Sequence, residues 1–187
     1  MENKMLQFHE NVFEEEYCRK LFSDSLQLFT SDKEVWSANY FWEGPLTADM
    51  FPWFIRSYDE ETSKTILTKL FEQGIIEDLD REYNVMNYIG TRLSYIPWHY
   101  DHVFAEGITI YLNDYWPEDW GGLFLYKDNL EDNIVHGYVP KFNTAVKNNQ
   151  HFDGKGIWHH VSTVAITSKC PRSTIQIFPK ERKNKFV

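Results

Sequence analysis

The spacing of apolar residues divides the chain into a helical first part and a β-rich second part. Apolar side chains three and four positions apart over residues 12–30 predict a helix with Asn11 as its cap. The same spacing recurs over residues 60–73, where Gly74 follows as a helix stop. Between them, residues 35–42 alternate apolar and polar positions, which predicts a strand. We expect these elements to support a core formed by the later part of the chain.

After residue 82 the chain consists of short β-rich runs separated by Gly, Pro, Asn and Asp. The predicted strands cover residues 84–89, 95–102, 108–113, 123–126, 134–139, 143–147, 157–161 and 172–178. Eight strands predict an α+β, mainly β fold: a double-stranded β-helix (jelly-roll, cupin-like) core with the N-terminal helices packed on one outer face. We predict one domain over residues 1–187, with a support region at 1–82, a β core at 83–179 and a basic tail at 180–187.

Composition narrows the class of protein. The net charge of −9 opposes a nucleic-acid or anionic-membrane interface. No apolar run is long enough to span a bilayer, and the first residues lack the apolar core of a signal peptide. The two cysteines form no metal-binding or disulfide pattern, so we predict a soluble cytoplasmic protein. Aromatic residues make up 17% of the chain and suit either a thick core or an apolar substrate cleft.

The first candidate site is the pair His99 and Asp101. Residues two apart in a strand project from the same face, so an imidazole and a carboxylate lie side by side. One further histidine would complete the two-histidine, one-carboxylate set that binds a divalent first-row metal. The same spacing recurs at His151 and Asp153, in a glycine-containing stretch that we predict to be a loop. A metal held by that second pair with a nearby histidine is therefore an alternative.

The third ligand is expected within residues 157–161, which contain two adjacent histidines. Strand alternation sends their side chains to opposite faces. His159 shares its face with two apolar residues, Ile157 and Val161, and this face is expected to point into the core. His159 is therefore the predicted ligand and His160 the alternative, while a histidine bonded only to the backbone is the structural interpretation of either.

Arg172 opens the last predicted strand and shares a face with Thr174. A guanidinium buried in a β core needs an anion, because an unpaired buried charge is costly. A carboxylate matches its planar fork, and the hydroxyls of Thr174, Tyr88 and Tyr111 offer further donors. A surface arginine at the start of a strand is the structural alternative.

Together these residues resemble the 2-oxoglutarate and Fe(II)-dependent oxygenases, most of all the prolyl 4-hydroxylase branch. The resemblance rests on His99-x-Asp101, His159-x-Val161 and Arg172 with Thr174, in that order. The segments NYIGTRLSYIPWHYD, ITIYLND, GGLFLY and VPKF support it, and it spans roughly residues 83–179. Two departures are the stretch AITSKCP, which lengthens the interval before Arg172, and the segment at 147–156 ahead of His159, a substrate-side loop or an insertion.

The resemblance implies a catalytic core in which His99, Asp101 and His159 hold Fe(II). Arg172 would bind the distal carboxylate of 2-oxoglutarate, with Thr174 beside it and a hydroxyl from Tyr111, favoured, or from Tyr88. O₂ would be the co-substrate and ascorbate a reductant. Because a Gly or Ala in place of Asp101 would open a site for chloride, the sequence predicts a hydroxylase that releases succinate and CO₂.

The substrate implied is a prolyl residue of a peptide or protein. A free amino acid or other small molecule is the enzymatic alternative, and a non-catalytic cupin-like metal-binding module is the alternative from another class. Some aromatic side chains are candidates to line a groove for an extended substrate, although core packing explains at least half of them. They are Trp36, Tyr40, Trp42, Trp53, Trp98 and Trp116. The sequence does not specify the oligomeric state.

Overall fold

Two antiparallel β-sheets face each other, and two helices cover the outer face of the larger sheet. The computed structural model describes residues 6–39, 52–99, 101, 106–127, 131, 133–149 and 157–180. Within these residues it contains eleven strands and two α-helices. The predicted mainly β, double-stranded β-helix with helices packed on one face is confirmed.

The larger sheet has seven strands in the described part of the chain. They are β1 (Leu6–Glu10), β2 (Ser37–Asn39), β3 (Trp53–Ser57), β4 (Tyr83–Gly90), β6 (Glu106–Tyr111), β9 (Thr144–Asn149) and β11 (Arg172–Pro179). Their spatial order is β1-β9-β6-β11-β4-β3-β2. The last strand in sequence, β11, therefore lies in the middle of the sheet between β6 and β4. This central position is why Arg172, at its start, is buried.

The smaller sheet has the order β5-β10-β7-β8. Its strands are β5 (Ile96–His99), β10 (Trp158–Val161), β7 (Phe124–Lys127) and β8 (His136–Tyr138). A β-bulge shifts the register between β5 and β10, because His159 pairs with His99 whereas Val161 pairs with Ile96. The extra residue on β5 lets Ile96 and His99, three positions apart, face the same side.

The two helices are α1 (Glu15–Ser31) and α2 (Glu60–Glu72). Asp59 caps α2 by accepting a hydrogen bond from the backbone N–H of Thr62 at 2.8 Å. Gly74 follows this helix with a φ of 69°, as the sequence predicted for its stop.

The predicted cap of α1, Asn11, is wrong. The helix starts after Glu14, which makes no side-chain capping bond, and Asn11 occupies the preceding turn with a φ of 56°. The segment between Asn11 and the helix is held instead by Asn143. Its Oδ1 accepts from the backbone N–H of Phe13 at 3.0 Å, and its Nδ2 donates to the carbonyl of Phe13 at 2.7 Å.

An apolar core joins the helices to the outer face of the larger sheet. It includes Cys18, Leu21, Ile66, Leu70, Ile108, Ile110, Ile175 and Ile177. Burying each of the larger aliphatic side chains contributes about 1.5–3 kcal/mol. This core fixes alternate residues of β6 and β11 toward the helices, so the residues between them face the smaller sheet.

All eight strands predicted after residue 82 overlap an observed strand, but two strands before it were missed. Both are five-residue strands at the sides of the larger sheet: β1 pairs with β9, and β3 with β4. Their order depends on pairing with residues far along the chain, which local patterns do not reveal. The segment at 147–156 begins within β9, which continues to Asn149, and its residues 150–156 lie outside the described part of the chain.

Several predicted features fall outside the described residues. They are Tyr40 and Trp42, the pair His151 and Asp153, and the basic tail from residue 181 onward. Neither described helix is long and apolar enough to cross a membrane.

Candidate metal centre and anion pocket

His99, Asp101 and His159 come together between the two sheets. His99 and His159 are direct cross-strand partners on β5 and β10, and their ring centroids lie 4.1 Å apart. The Asp101 carboxylate bridges them, with Oδ1 3.6 Å from His99 Nε2 and Oδ2 3.5 Å from His159 Nε2. One ligand atom from each residue lies within 4.8 Å of the others.

Backbone carbonyls orient both imidazoles. His99 Nδ1 lies 2.7 Å from the carbonyl of Pro97, and His159 Nδ1 lies 3.0 Å from that of Ile157. Because a carbonyl only accepts, each Nδ1 donates, which leaves each Nε2 as the ring atom directed toward Asp101. Burial, and secondarily the neighbouring His159, lowers the pKa of His99, so its imidazole is neutral at pH 7.

This donor set fits a divalent first-row metal. Two imidazoles and one carboxylate converge from one side, which is the two-histidine, one-carboxylate pattern of non-heme iron sites. Gly107 lies beside this site: a Cβ there would approach the Phe178 ring to 3.1 Å and would be in ordinary contact, at 3.5 Å, with Asp101 Oδ2. The alternative ligand His160 lies on the opposite face, stacked on Trp98 with ring centroids 5.3 Å apart.

Arg172 lies inside the molecule, with only 1% of its surface exposed. Its guanidinium carbon is 5.4 Å from the ring centroid of Trp53 and 5.2 Å from that of Tyr111. Gly122 makes space for it, since a Cβ at this position would approach Arg172 Cδ to 2.8 Å. Two aromatic rings and a bare glycine backbone thus enclose the guanidinium.

No carboxylate in the described part of the chain lies within ion-pair distance of Arg172, and its Nε has no hydrogen-bond partner. Burial lowers the pKa of Arg172, while the nearby Tyr111 has the opposite effect; an arginine nevertheless stays charged at neutral pH. Burial also raises the pKa of Tyr111 to about 12, so its hydroxyl is a donor. The neighbouring guanidinium can only donate, so the O–H of Tyr111 has no acceptor in the described part of the chain. A buried cation beside an unpaired donor forms a pocket for an anion.

The candidate hydroxyls form a row on the inner face of the larger sheet. Thr174 pairs with Tyr88 on β4 and with Tyr111 on β6, and Arg172 lies two residues along on the same face. Tyr88 connects this row to the triad, because its pKa is raised first by burial and then by the charge of Asp101. The structure therefore places all the predicted site residues along one interior space.

Several residues of this space were not predicted as site residues from the sequence. Thr109 donates to Gln176 Oε1 at 2.8 Å, and Gln176 Nε2 donates to Thr174 Oγ1 at 3.4 Å. These two hydrogen bonds extend the row of polar side chains along the inner face. Trp53 was expected in a substrate groove but packs against Arg172. Strand alternation indicated the faces of Thr109 and Gln176, whereas nothing local pointed to Trp53.

The aromatic groove expected for a substrate is not formed as predicted. Trp36, Trp53 and Trp116 are buried, so they belong to the packing of the fold. Trp98 is partly exposed, but on the outer face of the smaller sheet beside His160. On the inner face, the row that begins with His99 and His159 continues across the smaller sheet to Tyr126 and His136.

A separate open groove of about 830 Å³ lies outside this interior. It is lined by residues that precede α1, follow β6 and follow β8, including Phe13, Tyr115, Trp116, Val139 and Phe142. It contains none of the triad residues and neither of the candidate tyrosines. The groove is therefore distinct from the candidate site, which is defined by the convergent charged and polar groups.

Solved structures share this architecture. A prolyl-4-hydroxylase from Pseudomonas putida superposes with a TM-score of 0.68 at 13% identity, over 96% of this chain and 94% of that one. A prolyl hydroxylase from Trichoplax adhaerens, in complex with a hypoxia inducible factor peptide fragment, gives 0.67 at 16% identity, over 95% and 84%. The α-ketoglutarate-dependent epimerase SnoN of nogalamycin biosynthesis gives 0.64 at 9% identity, over 94% and 78%.

The chain thus has the fold of the prolyl hydroxylases and related 2-oxoglutarate–Fe(II) oxygenases. At 9–16% identity the likeness concerns the fold. No family model matches the sequence, and no curated protein matches it. The evidence for the chemistry is therefore the arrangement of side chains in the site.

Proposed function

We propose that this protein is a 2-oxoglutarate- and Fe(II)-dependent dioxygenase that hydroxylates a C–H bond. The observation that carries the proposal is a buried, unpaired Arg172 on the same interior surface as a two-histidine, one-carboxylate triad. A metal-binding module alone would need the triad but not the arginine. The pairing of the two features matches a co-substrate that carries a carboxylate at one end and a metal-chelating group at the other.

2-Oxoglutarate has that form. Its distal carboxylate suits the fork of Arg172, and the unpaired Tyr111 hydroxyl would donate to the same group. Thr174 and Tyr88 lie in the adjoining row, and burial followed by the charge of Asp101 raises the pKa of Tyr88, which links this row to the metal ligands. The aromatic walls around Arg172 exclude water, which strengthens the ionic contact.

His99, Asp101 and His159 would hold the iron. When bound, Fe(II) supplies the activation of O₂ that couples decarboxylation of 2-oxoglutarate, giving succinate and CO₂, to insertion of one oxygen atom into a substrate C–H bond. The protein contributes orientation, because backbone carbonyls fix both imidazoles. The carboxylate of Asp101 fills the position that a chloride would need, which favours hydroxylation over halogenation.

For the substrate, we propose a prolyl residue of a peptide or protein. The supporting observation is the likeness to the Trichoplax adhaerens prolyl hydroxylase, which was solved with a peptide fragment. The row of Tyr126 and His136 beside His159 offers stacked rings, with centroids 5.0 Å apart, to a ring-bearing substrate. The likeness to an epimerase of a biosynthetic pathway keeps a small-molecule substrate as the second candidate.

The test uses purified protein without oxygen. Adding Fe(II) and 2-oxoglutarate should give a weak visible charge-transfer band, and admitting air with proline-containing peptides should give succinate. Arg172→Leu should weaken 2-oxoglutarate binding by more than about 100-fold, since it removes a charge-assisted bidentate contact. Arg172→Lys, which keeps the charge and loses the fork, should fall between Leu and wild type.

Binding of 2-oxoglutarate that is indifferent to Arg172→Leu would contradict the proposal and leave a metal-binding jelly roll. A band without hydroxylated peptide would retain the cofactors and reject the prolyl substrate. A free amino acid set tested in the same assay distinguishes the small-molecule candidate. Ascorbate dependence of repeated turnover is measured in that assay as well.

A further inference from the structure

Asn148 faces the interior space that holds the triad. Val146, two residues earlier on β9, packs in a cluster with Tyr111 and Phe124, which belong to the two facing sheets. Lys147, between them, points the other way and donates to the carbonyl of Ile75 at 2.7 Å. Strand alternation therefore directs Asn148 to the same inner face as Val146.

The carboxamide of Asn148 has no hydrogen-bond partner. The residue is 6% exposed, and both its Nδ2 and its Oδ1 are buried and unpaired. Buried side-chain amides are nearly always bonded, so an exception indicates a partner that arrives with a ligand or with a change of state. No partner is supplied by the strand neighbours of Asn148, which are Leu6 and Gly107.

Gly107 places Asn148 beside Asp101. A Cβ on Gly107 would lie 3.5 Å from Asp101 Oδ2, and Gly107 is the direct antiparallel partner of Asn148. The Cβ positions of such partners are about 4.5–5.5 Å apart. Since Gly107 carries no side chain, nothing from this position separates the Asn148 amide from the Asp101 carboxylate. The register therefore directs an unpaired amide toward the side of the site where this ligand lies.

We infer that Asn148 is a positioning residue of the metal centre. Its Nδ2 donates to the oxygen of Asp101 that does not bind the metal, which holds the carboxylate in the orientation that the two histidines require. This role rests on the proposed metal centre and adds a residue to it. Hydrogen-bond partners of metal ligands set ligand orientation, and their loss typically weakens metal affinity by about 10–100-fold.

The experiment measures the affinity of the metal-free protein for Mn²⁺, added without any co-substrate. The electron paramagnetic resonance signal of free Mn²⁺ reports the unbound fraction. The site that counts is the one lost in Asp101→Ala. Asn148→Leu should bind Mn²⁺ about 10–100-fold more weakly, while the unfolding midpoint of the metal-free protein stays equal or rises, because the lost amide made no bond. Asn148→Ala serves as a second variant if the leucine does not fold.

Asn149→Leu is the matched control. It makes the same substitution at the next residue, which pairs with Glu106 across the sheet. Strand alternation directs the side chain of Asn149 to the other face of the sheet. This variant should keep wild-type Mn²⁺ affinity.

Equal Mn²⁺ affinity of the Asn148→Leu and wild-type proteins would overturn the positioning role and leave the proposed function intact. An unchanged Mn²⁺ affinity with a raised KM for a peptide would overturn it too, and would assign Asn148 to substrate binding. Absence of Mn²⁺ binding by the wild-type protein would overturn the metal centre and the positioning role together.

Discussion

Two buried polar clusters on opposite faces of the larger sheet differ in their hydrogen bonding. On the face toward the helices, Asn87 is bonded to Ser25, Ser173 and the carbonyl of Thr174. On the inner face, Arg172 Nε is buried without a partner, and the O–H of the adjacent Tyr111 has no acceptor in the described part of the chain, because an arginine can only donate. Asn87, Arg172 and Tyr111 are all at most 1% exposed, so the two clusters differ in hydrogen bonding and not in burial.

This contrast separates polar groups that stabilise the fold from those held ready for ligands. A buried polar group that is satisfied contributes modestly to stability, whereas one left unpaired costs free energy until a partner binds. The unpaired polar groups on the inner face of β11 therefore lower the stability of the ligand-free protein. The apolar core on the helix-facing side offsets this cost. Substitutions on the two faces should consequently affect different measurements.

The largest effect on stability is expected from Ile175→Ala. Ile175 is fully buried in the core between the helices and the larger sheet, so the truncation leaves a cavity. The free energy of unfolding should fall by about 2–5 kcal/mol, measured by urea titration. The control is Thr174→Val, the next residue on the inner face, which keeps the volume and should change stability by less than about 1 kcal/mol. Equal losses for both would end the distinction between the faces.

A smaller loss is expected from Asn87→Leu. This change leaves Ser25, Ser173 and a backbone carbonyl without the bonds that Asn87 provides. Each unpaired buried group costs about 1–3 kcal/mol, partly offset where Ser25 and Ser173, 3.2 Å apart, bond to each other. Asn148→Leu makes the same substitution on the inner face and should cost nothing. Urea titrations of the two metal-free variants, run side by side, provide the comparison.

Much of the site could be predicted from local pattern. Apolar neighbours at Ile157 and Val161 indicated that His159 rather than His160 points inward, and the structure places the two histidines in that way. The face of Arg172 followed from the same alternation. These inferences succeed because strand periodicity and burial act on residues close together in the sequence.

The parts that could not be predicted depend on distant pairing. The bulge that lets Ile96 and His99 share a face arises from the register of β5 against β10. Trp53 reaches Arg172 because β3 pairs with β4, which lies next to β11. The role proposed for Asn148 depends on its pairing with Gly107, which lies on another strand. No local window of the sequence contains these relations.

The most discriminating small effect is expected from Tyr111→Phe. Its O–H has no acceptor in the described part of the chain, so removing it breaks no donated hydrogen bond and should leave the free energy of unfolding within about 0.5 kcal/mol of wild type. If that hydroxyl donates to the distal carboxylate of 2-oxoglutarate, affinity should fall about 10-fold or more, because hydrogen bonds to charged groups contribute about 1.5–3 kcal/mol. Calorimetric titration of 2-oxoglutarate into protein loaded with Mn²⁺ measures this.

Tyr88→Phe is the comparison for Tyr111→Phe in the same titration. Tyr111 lies beside the Arg172 guanidinium, so removal of the Tyr88 hydroxyl should affect 2-oxoglutarate binding less than removal of the Tyr111 hydroxyl. The reverse order would assign the carboxylate contact to Tyr88. A loss of stability in Tyr111→Phe would show that its hydroxyl is already bonded in the ligand-free protein. That result would remove Tyr111 from the set of unpaired inner-face groups and weaken the contrast between the two faces at the residue that contacts Arg172 most directly.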